Sequence, residues 1–299
     1  MLPSESLWLR AKLEIDFPSD VEHLYDLCIN EVGFPVGYYH PEILTNLFAI
    51  SPNREIVDEL RLPYIYLSAY YFCLDSIVDK DIVKSENAVY LTHLLTGSIH
   101  QFTRYFDQNY PDKANLLKSL LHEYISKNAA AVLSELEFRR NPFKTLELEE
   151  FESIVGRSNS FLLLLDLLSH ALDAPVAPVT RTLIDRFLYF MQLGDDLGDW
   201  RLDFHNKRWT SFLRGCFSEL GRIPNEAELE RLVYLNGSYE QRAIRILKGF
   251  NEIIRNLAEQ HYDSDKNFLT FVVAQRDRLY TVLRDFVEVK QSCISWNES

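Results

Sequence analysis

Residues 191–210 read MQLGDDLGDWRLDFHNKRWT, and within them Asp195, Asp199 and Asp203 recur at every fourth position. On a helix that spacing stacks the three carboxylates along one face, with Asp196 beside them. Like charges so placed repel by roughly 0.2–0.5 kcal/mol per pair. The run just before, residues 187–193, FLYFMQL, has the apolar pattern of a core-facing segment. An acidic stripe that continues a core-facing helix implies a compensating cation. The plain alternative for one such stretch is a solvated helix end, and a second stretch upstream decides against it.

Working outward, the same helical period governs the chain. The spacing predicts helices over 54–83, 85–105, 112–138, 146–172, 181–203, 226–261 and 266–290. In the first of these Ile56, Leu60, Tyr64, Leu67, Tyr71, Leu74 and Val78 recur at three- and four-residue steps, and Pro63 starts or kinks it. Pro111, Pro142, Pro175 and Pro178 punctuate the others, and a link through Lys207, Gly221 and Pro224 precedes the last two. Residues 1–53 form a loosely periodic entry segment broken by Pro18, Pro35, Pro41 and Pro52. With no period-two strand, repeat or long linker, the expectation is one all-α domain over 1–299, a helical bundle.

Composition narrows the partners. The 299 residues are 47% apolar and 25% charged, as in a folded globular chain. Their 44 acidic and 31 basic side chains give a formal charge of −13, which disfavours nucleic acid and anionic lipid surfaces. Cys28, Cys73, Cys216 and Cys293 lie too far apart in sequence for a zinc or disulfide framework, and fit a reducing, cytoplasmic setting. The first residues resemble neither a secretory signal nor a transit peptide, and no apolar run reaches the roughly 18 residues of a transmembrane helix.

The second acidic stretch is AYYFCLDSIVDKDI, where Asp75 and Asp79 sit one helical turn apart after Tyr70, Tyr71, Phe72, Cys73 and Leu74. Asp81 falls on another face. Two acidic helix faces, each following apolar residues, suit a hard cation held at the mouth of an apolar cavity. Magnesium takes one or two protein carboxylates and fills its other positions with water and phosphate oxygens. Asp75, Asp79, Asp195, Asp196 and Asp199 are therefore the candidate metal residues. Calcium in an EF-hand competes poorly, because the twelve-residue ligand loop with its central Gly is absent.

These residues resemble the class I isoprenoid synthases. The Asp75…Asp79 pair is similar to the first aspartate-rich motif in the form found in squalene and phytoene synthases. Gln192-Leu-Gly-Asp195-Asp196-Leu-Gly-Asp199 is similar to the second motif of trans-prenyltransferases and terpene synthases. Gly156-Arg157-Ser158 stands where prenyltransferases carry a diphosphate-binding Lys, and Lys207-Arg208-Trp209-Thr210 where they carry a further basic residue and a Thr. The resemblance spans about residues 55–215. It implies an isoprenoid-synthase bundle around a central apolar cavity and up to three magnesium ions, with Asp75, Asp79, Asp195 and Asp199 as catalytic residues. It also implies that Arg157, Lys207 and Arg208 contact a prenyl diphosphate, and that Tyr71, with Tyr70, limits the depth of the pocket. The chemistry is departure of diphosphate to leave a carbocation, which aromatic faces stabilise.

Two departures bear on the reaction. Elongating prenyltransferases bind a second diphosphate through a Gly-Lys-Arg segment and an Arg-Arg pair. The comparable places here read Gly37-Tyr38-Tyr39-His40-Pro41 and Asp81-Ile-Val-Lys84. The expectation is therefore a terpene synthase acting on one linear allylic diphosphate by cyclisation or elimination. The alternatives are a prenyltransferase, elongating or joining two prenyl units head to head, and an inactive helical binding or regulatory subunit. The small-molecule substrate leaves a homodimer open. Arg157, Lys207 and Arg208 are equally explained as structural ion pairs. Arg276, Arg278 and Tyr280 either close over the diphosphate or form a charged face. Asp203 is a further stripe member or a solvated helix end. Asp166, inside an apolar run, is an ion-pair or a pocket residue, and the eight His residues carry no assigned role.

Overall fold

The computed structural model describes residues 40–48, 54–80, 85–143, 154–156, 159–260 and 266–297, and among them every regular element is a helix. The side chains of 75–80 fall outside this set, as do most of the entry segment, Asp81, Lys84, Arg157, Cys28 and Cys293. No helix among the described residues is long and apolar enough to cross a membrane. The chain gathers into two compact units, one from residues 1–129 with 157–175, the other from 130–156 with 176–299.

The first unit holds α1 (His40–Leu47), α2 (Arg54–Lys80), α3 (Ser85–Asn109), the early part of α4 (Ala114–Arg140) and α5 (Asn159–Ala171). α2 packs on α1, α3 and α5. It buries Leu60, Tyr64 and Leu67, the residues its period predicts, and it runs through Pro63 instead of starting there. Gly97 on α3 is required by this packing, since a Cβ there would stand 2.9 Å from the Tyr66 ring. α5 buries Leu162, Leu163, Leu164, Leu165, Leu167 and Leu168, as a helix that is apolar all round must. Asp166 in that run accepts a hydrogen bond from the Tyr124 hydroxyl, which accounts for an acid among leucines.

The second unit holds the rest of α4, α6 (Pro178–Gly198), α7 (Trp200–His205), α8 (Ser211–Leu220), α9 (Glu226–Glu230), a π-helical turn (Arg231–Leu235), α10 (Ser238–Gln260) and α11 (Lys266–Asn297). α10 packs on both α6 and α11. Its buried residues Ala243, Ile246, Phe250, Ile253 and Leu257 alternate three- and four-residue steps, so one stripe faces the core. Phe187 of α6 meets Phe250, Phe268 and Phe271 with ring centroids 5.6–5.9 Å apart.

Two expectations are corrected. The link after residue 207 contains α8, whose Phe212, Leu213, Cys216 and Phe217 are buried on one face before Gly221 ends it in the left-handed region at φ 66°. The helix expected over 226–261 is divided. Asn225 caps α9 with Glu228 in a reciprocal box, the π turn follows, and Gly237 at φ 84° resets the backbone before α10.

Candidate functional site

α6 carries the acidic stretch from a buried interior to an open wall. Leu183, Ile184, Phe187, Phe190, Leu193 and Leu197 hold it in the core, and Asp195 and Asp199 are exposed. The helix stops at Gly198, and Asp199 takes up the break before α7 begins. Although Asp199 occupies the N-cap position of α7, its side chain makes no capping hydrogen bond. Its carboxylate is left to the wall on which it stands.

That wall belongs to a cavity of about 290 Å³. α6 contributes Asp195 and Asp199 together with Phe190, Met191, Gly194, Leu197 and Gly198. α10 adds Tyr239, Ile246 and Phe250. α11 adds Gln275, Arg278, Leu279 and Val282, a stripe at three- and four-residue steps. The cavity thus joins two carboxylates, one guanidinium and one amide to an otherwise apolar and aromatic lining, the usual make-up of a small-molecule site. Burial raises the pKa of the Tyr239 phenol, and Tyr234 and Glu240 add to the rise, so it stays a neutral hydrogen-bonding group.

The four helical glycines of α3, α6 and α10 fall into two kinds. Gly97 and Gly249 are dictated by packing: a Cβ on Gly249 would lie 2.1 Å from the Phe190 ring. Gly194 and Gly198 have nothing within 4 Å of a Cβ, and both border the cavity. Packing therefore does not explain the helix propensity lost at Gly194. A Gly194→Ala protein is expected to be more stable by roughly 0.5–1 kcal/mol, read as a higher Tm. A lower Tm would show that the wall at Gly194 is not open.

The remaining acids of the stretch have other partners. Asp196 is buried, and its carboxylate accepts from the Ser211 backbone N–H at 3.3 Å, the Ser211 hydroxyl at 3.2 Å and the Gln192 amide at 3.3 Å. Asp203 is buried too. It lies 3.7 Å from the Arg208 guanidinium, and its carbonyl accepts from the Arg208 N–H at 2.8 Å. Lys207 is exposed at φ 55° in the turn after α7. Arg276 donates to Asp277 at 2.6 and 2.8 Å, and Tyr280 is exposed, so of the three candidates on α11 Arg278 alone borders the cavity.

In the first unit, Asp75 and Asp79 continue α2, and their side chains lie outside the described residues, as does Arg157. Tyr71, one turn before Asp75, stacks at a tilt on Tyr70 with centroids 5.2 Å apart. Its hydroxyl is buried with no hydrogen-bond partner among the described residues, and burial raises its pKa.

Oxygen donors at Asp195 and Asp199, one turn apart on an open wall, fit magnesium, which needs only one or two carboxylates and room for water and phosphate oxygens. Among the described residues no three His, Cys, Asp or Glu side chains converge on one point. The chain matches no protein-family model, no curated protein and no solved structure.

Proposed function

We infer that the protein is a magnesium-dependent class I terpene synthase that ionises a linear allylic prenyl diphosphate and converts it by cyclisation or elimination. The observation that carries this reading is the open cavity of the second unit, where Asp195, Asp199 and Arg278 stand beside apolar and aromatic side chains. A multiply charged oxyanion matches Arg278 and a carboxylate-held cation, and a hydrocarbon chain matches Phe190, Ile246, Phe250, Leu279 and Val282.

In this reading Asp195 and Asp199 hold magnesium, and the resemblance assigns Asp75 and Asp79 to the same task. Bound magnesium supplies Lewis acidity toward the diphosphate and offsets its charge. Arg278 donates to the diphosphate oxygens and gains strength as negative charge develops on them. Phe190, Tyr239 and Phe250 exclude water and offer ring faces to the carbocation left behind. Lys207 and Arg157 remain diphosphate contacts by resemblance. Arg208 sits by Asp203 and is better placed to fix the turn after α7.

Arg278→Ala is expected to slow diphosphate release by about 10- to 100-fold with the fold intact, the usual effect of losing a charge-assisted contact made in the transition state. Unchanged kinetics would return Arg278 to the charged surface. The reaction class is tested by the products formed from one labelled allylic diphosphate with and without isopentenyl diphosphate. A hydrocarbon or terpene alcohol formed without the second substrate supports a terpene synthase, and a longer diphosphate formed only with it makes the protein a prenyltransferase.

A further inference from the structure

Asp196 stands between the two cavity-wall carboxylates in sequence, yet it is buried and engaged by donors. Its main partner is Ser211, the first residue of α8, whose N–H has no partner within its own helix. Ser211 is gripped from the other side by Arg242 of α10. One guanidinium nitrogen donates to the Ser211 hydroxyl and the other to its carbonyl, both at 3.2 Å. The hydroxyl therefore accepts from Arg242 while it donates to Asp196. A single serine ties a carboxylate to a guanidinium across three helices.

We propose that Asp196, Ser211 and Arg242 form a brace that positions Asp195 and Asp199 for magnesium, with Asp196 a positioning residue and not a metal ligand. The bracing acts at the C-terminal end of α6. The helix ends at Gly198, two residues after Asp196, and the Asp199 side chain makes no capping bond to α7. Asp196 ties the buried side of the last turn of α6 to α8 while the neighbouring carboxylates border the cavity. Arg242 lies on α10, which supplies the facing wall through Tyr239, Ile246 and Phe250, so one polar chain sets both walls. A negative group is also favourable at the start of α8, where the helix dipole presents its positive end. Side chains that orient metal-holding residues without touching the metal commonly change metal affinity by about 10- to 100-fold when lost.

The inference rests on the metal-holding role of Asp195 and Asp199, and the test separates the two. The full chain, as wild type, Ser211→Ala, Ser211→Thr, Asp196→Asn and Asp195→Asn, is titrated with magnesium and inorganic pyrophosphate. Metal-dependent thermal shift and the magnesium concentration for half-maximal diphosphate release are both read. Ser211→Ala is expected to need about tenfold more magnesium for the same shift. Ser211→Thr, which keeps the hydroxyl, restores wild-type dependence, and Asp196→Asn behaves like Ser211→Ala. Asp195→Asn loses the shift altogether. A lower Tm with unchanged magnesium dependence in Ser211→Ala would overturn the brace. So would Asp196→Asn losing metal binding as fully as Asp195→Asn while Ser211→Ala is silent. If Ser211→Ala does not fold, Arg242→Lys, which weakens the same grip, is held to the same criterion. A wild type with no metal-dependent shift overturns the magnesium reading itself, and the brace with it.

Discussion

Replacing Asp199 with alanine is expected to reduce magnesium-dependent diphosphate release by roughly 100-fold or more, because the several kcal/mol supplied by a positioned Lewis acid act directly on the departing diphosphate. The same change should leave the fold unharmed. Asp199 is exposed and makes no capping bond, so the loss of about 1 kcal/mol that usually follows an N-cap aspartate does not apply. The N–H of Asp199 donates to the Asp195 carbonyl and its own carbonyl accepts from Asp203, backbone bonds that alanine keeps. With chelator present, one carboxylate fewer relieves repulsion of roughly 0.2–0.5 kcal/mol at the four-residue spacing, so the Tm is unchanged or slightly higher. Activity and metal-free stability thus move apart. An Asp199→Ala protein that turns over at the wild-type rate would remove this residue from the metal site.

The second large effect is structural. Gly249→Ala is expected to destabilise the protein by about 1–3 kcal/mol, as overpacking does, outweighing the helix propensity that alanine brings. The Phe190 ring lies directly over Gly249, and it is itself confined by Tyr189 and Phe250, with centroids at 5.3 and 6.1 Å. The ring also borders the cavity, so displacing it alters that wall. Thermal or denaturant unfolding gives the stability change, and prenyl diphosphate turnover should fall with it. A Gly249→Ala protein as stable as wild type would mean that α6 and α10 are not so closely packed.

The fold was legible where periodicity was long. The acidic stretch, the apolar steps of α2 and the even stripe of α10 each repeat often enough to fix a helix. α8 is short and carries Gly215 at its centre, so its buried face passed for a link. Within the site, sequence spacing placed Asp195 and Asp199 together but could not separate Asp196 from them. Its position one residue on turns it about 100° around the helix toward the core, where donors from Ser211 of α8 and Gln192 make that burial acceptable. On α11 the sequence offers Arg276, Arg278 and Tyr280 together, as a cover for the diphosphate or a charged face, without separating them. Gln275, Arg278, Leu279 and Val282 do share one helical face, but Arg276, Asp277 and Tyr280 beside them gave the segment the look of a charged surface. Arg278 is distinguished by what it faces.

Release of inorganic diphosphate from purified geranyl, farnesyl and geranylgeranyl diphosphates by the full chain, with magnesium and with chelator, decides whether the protein is a magnesium-dependent terpene synthase. A terpene synthase releases diphosphate from at least one of the three only with magnesium, and Asp195→Ala and Asp199→Ala proteins that remain folded lose that release. Absence of release from all three, or release that continues undiminished in chelator or in both variants, would contradict that assignment.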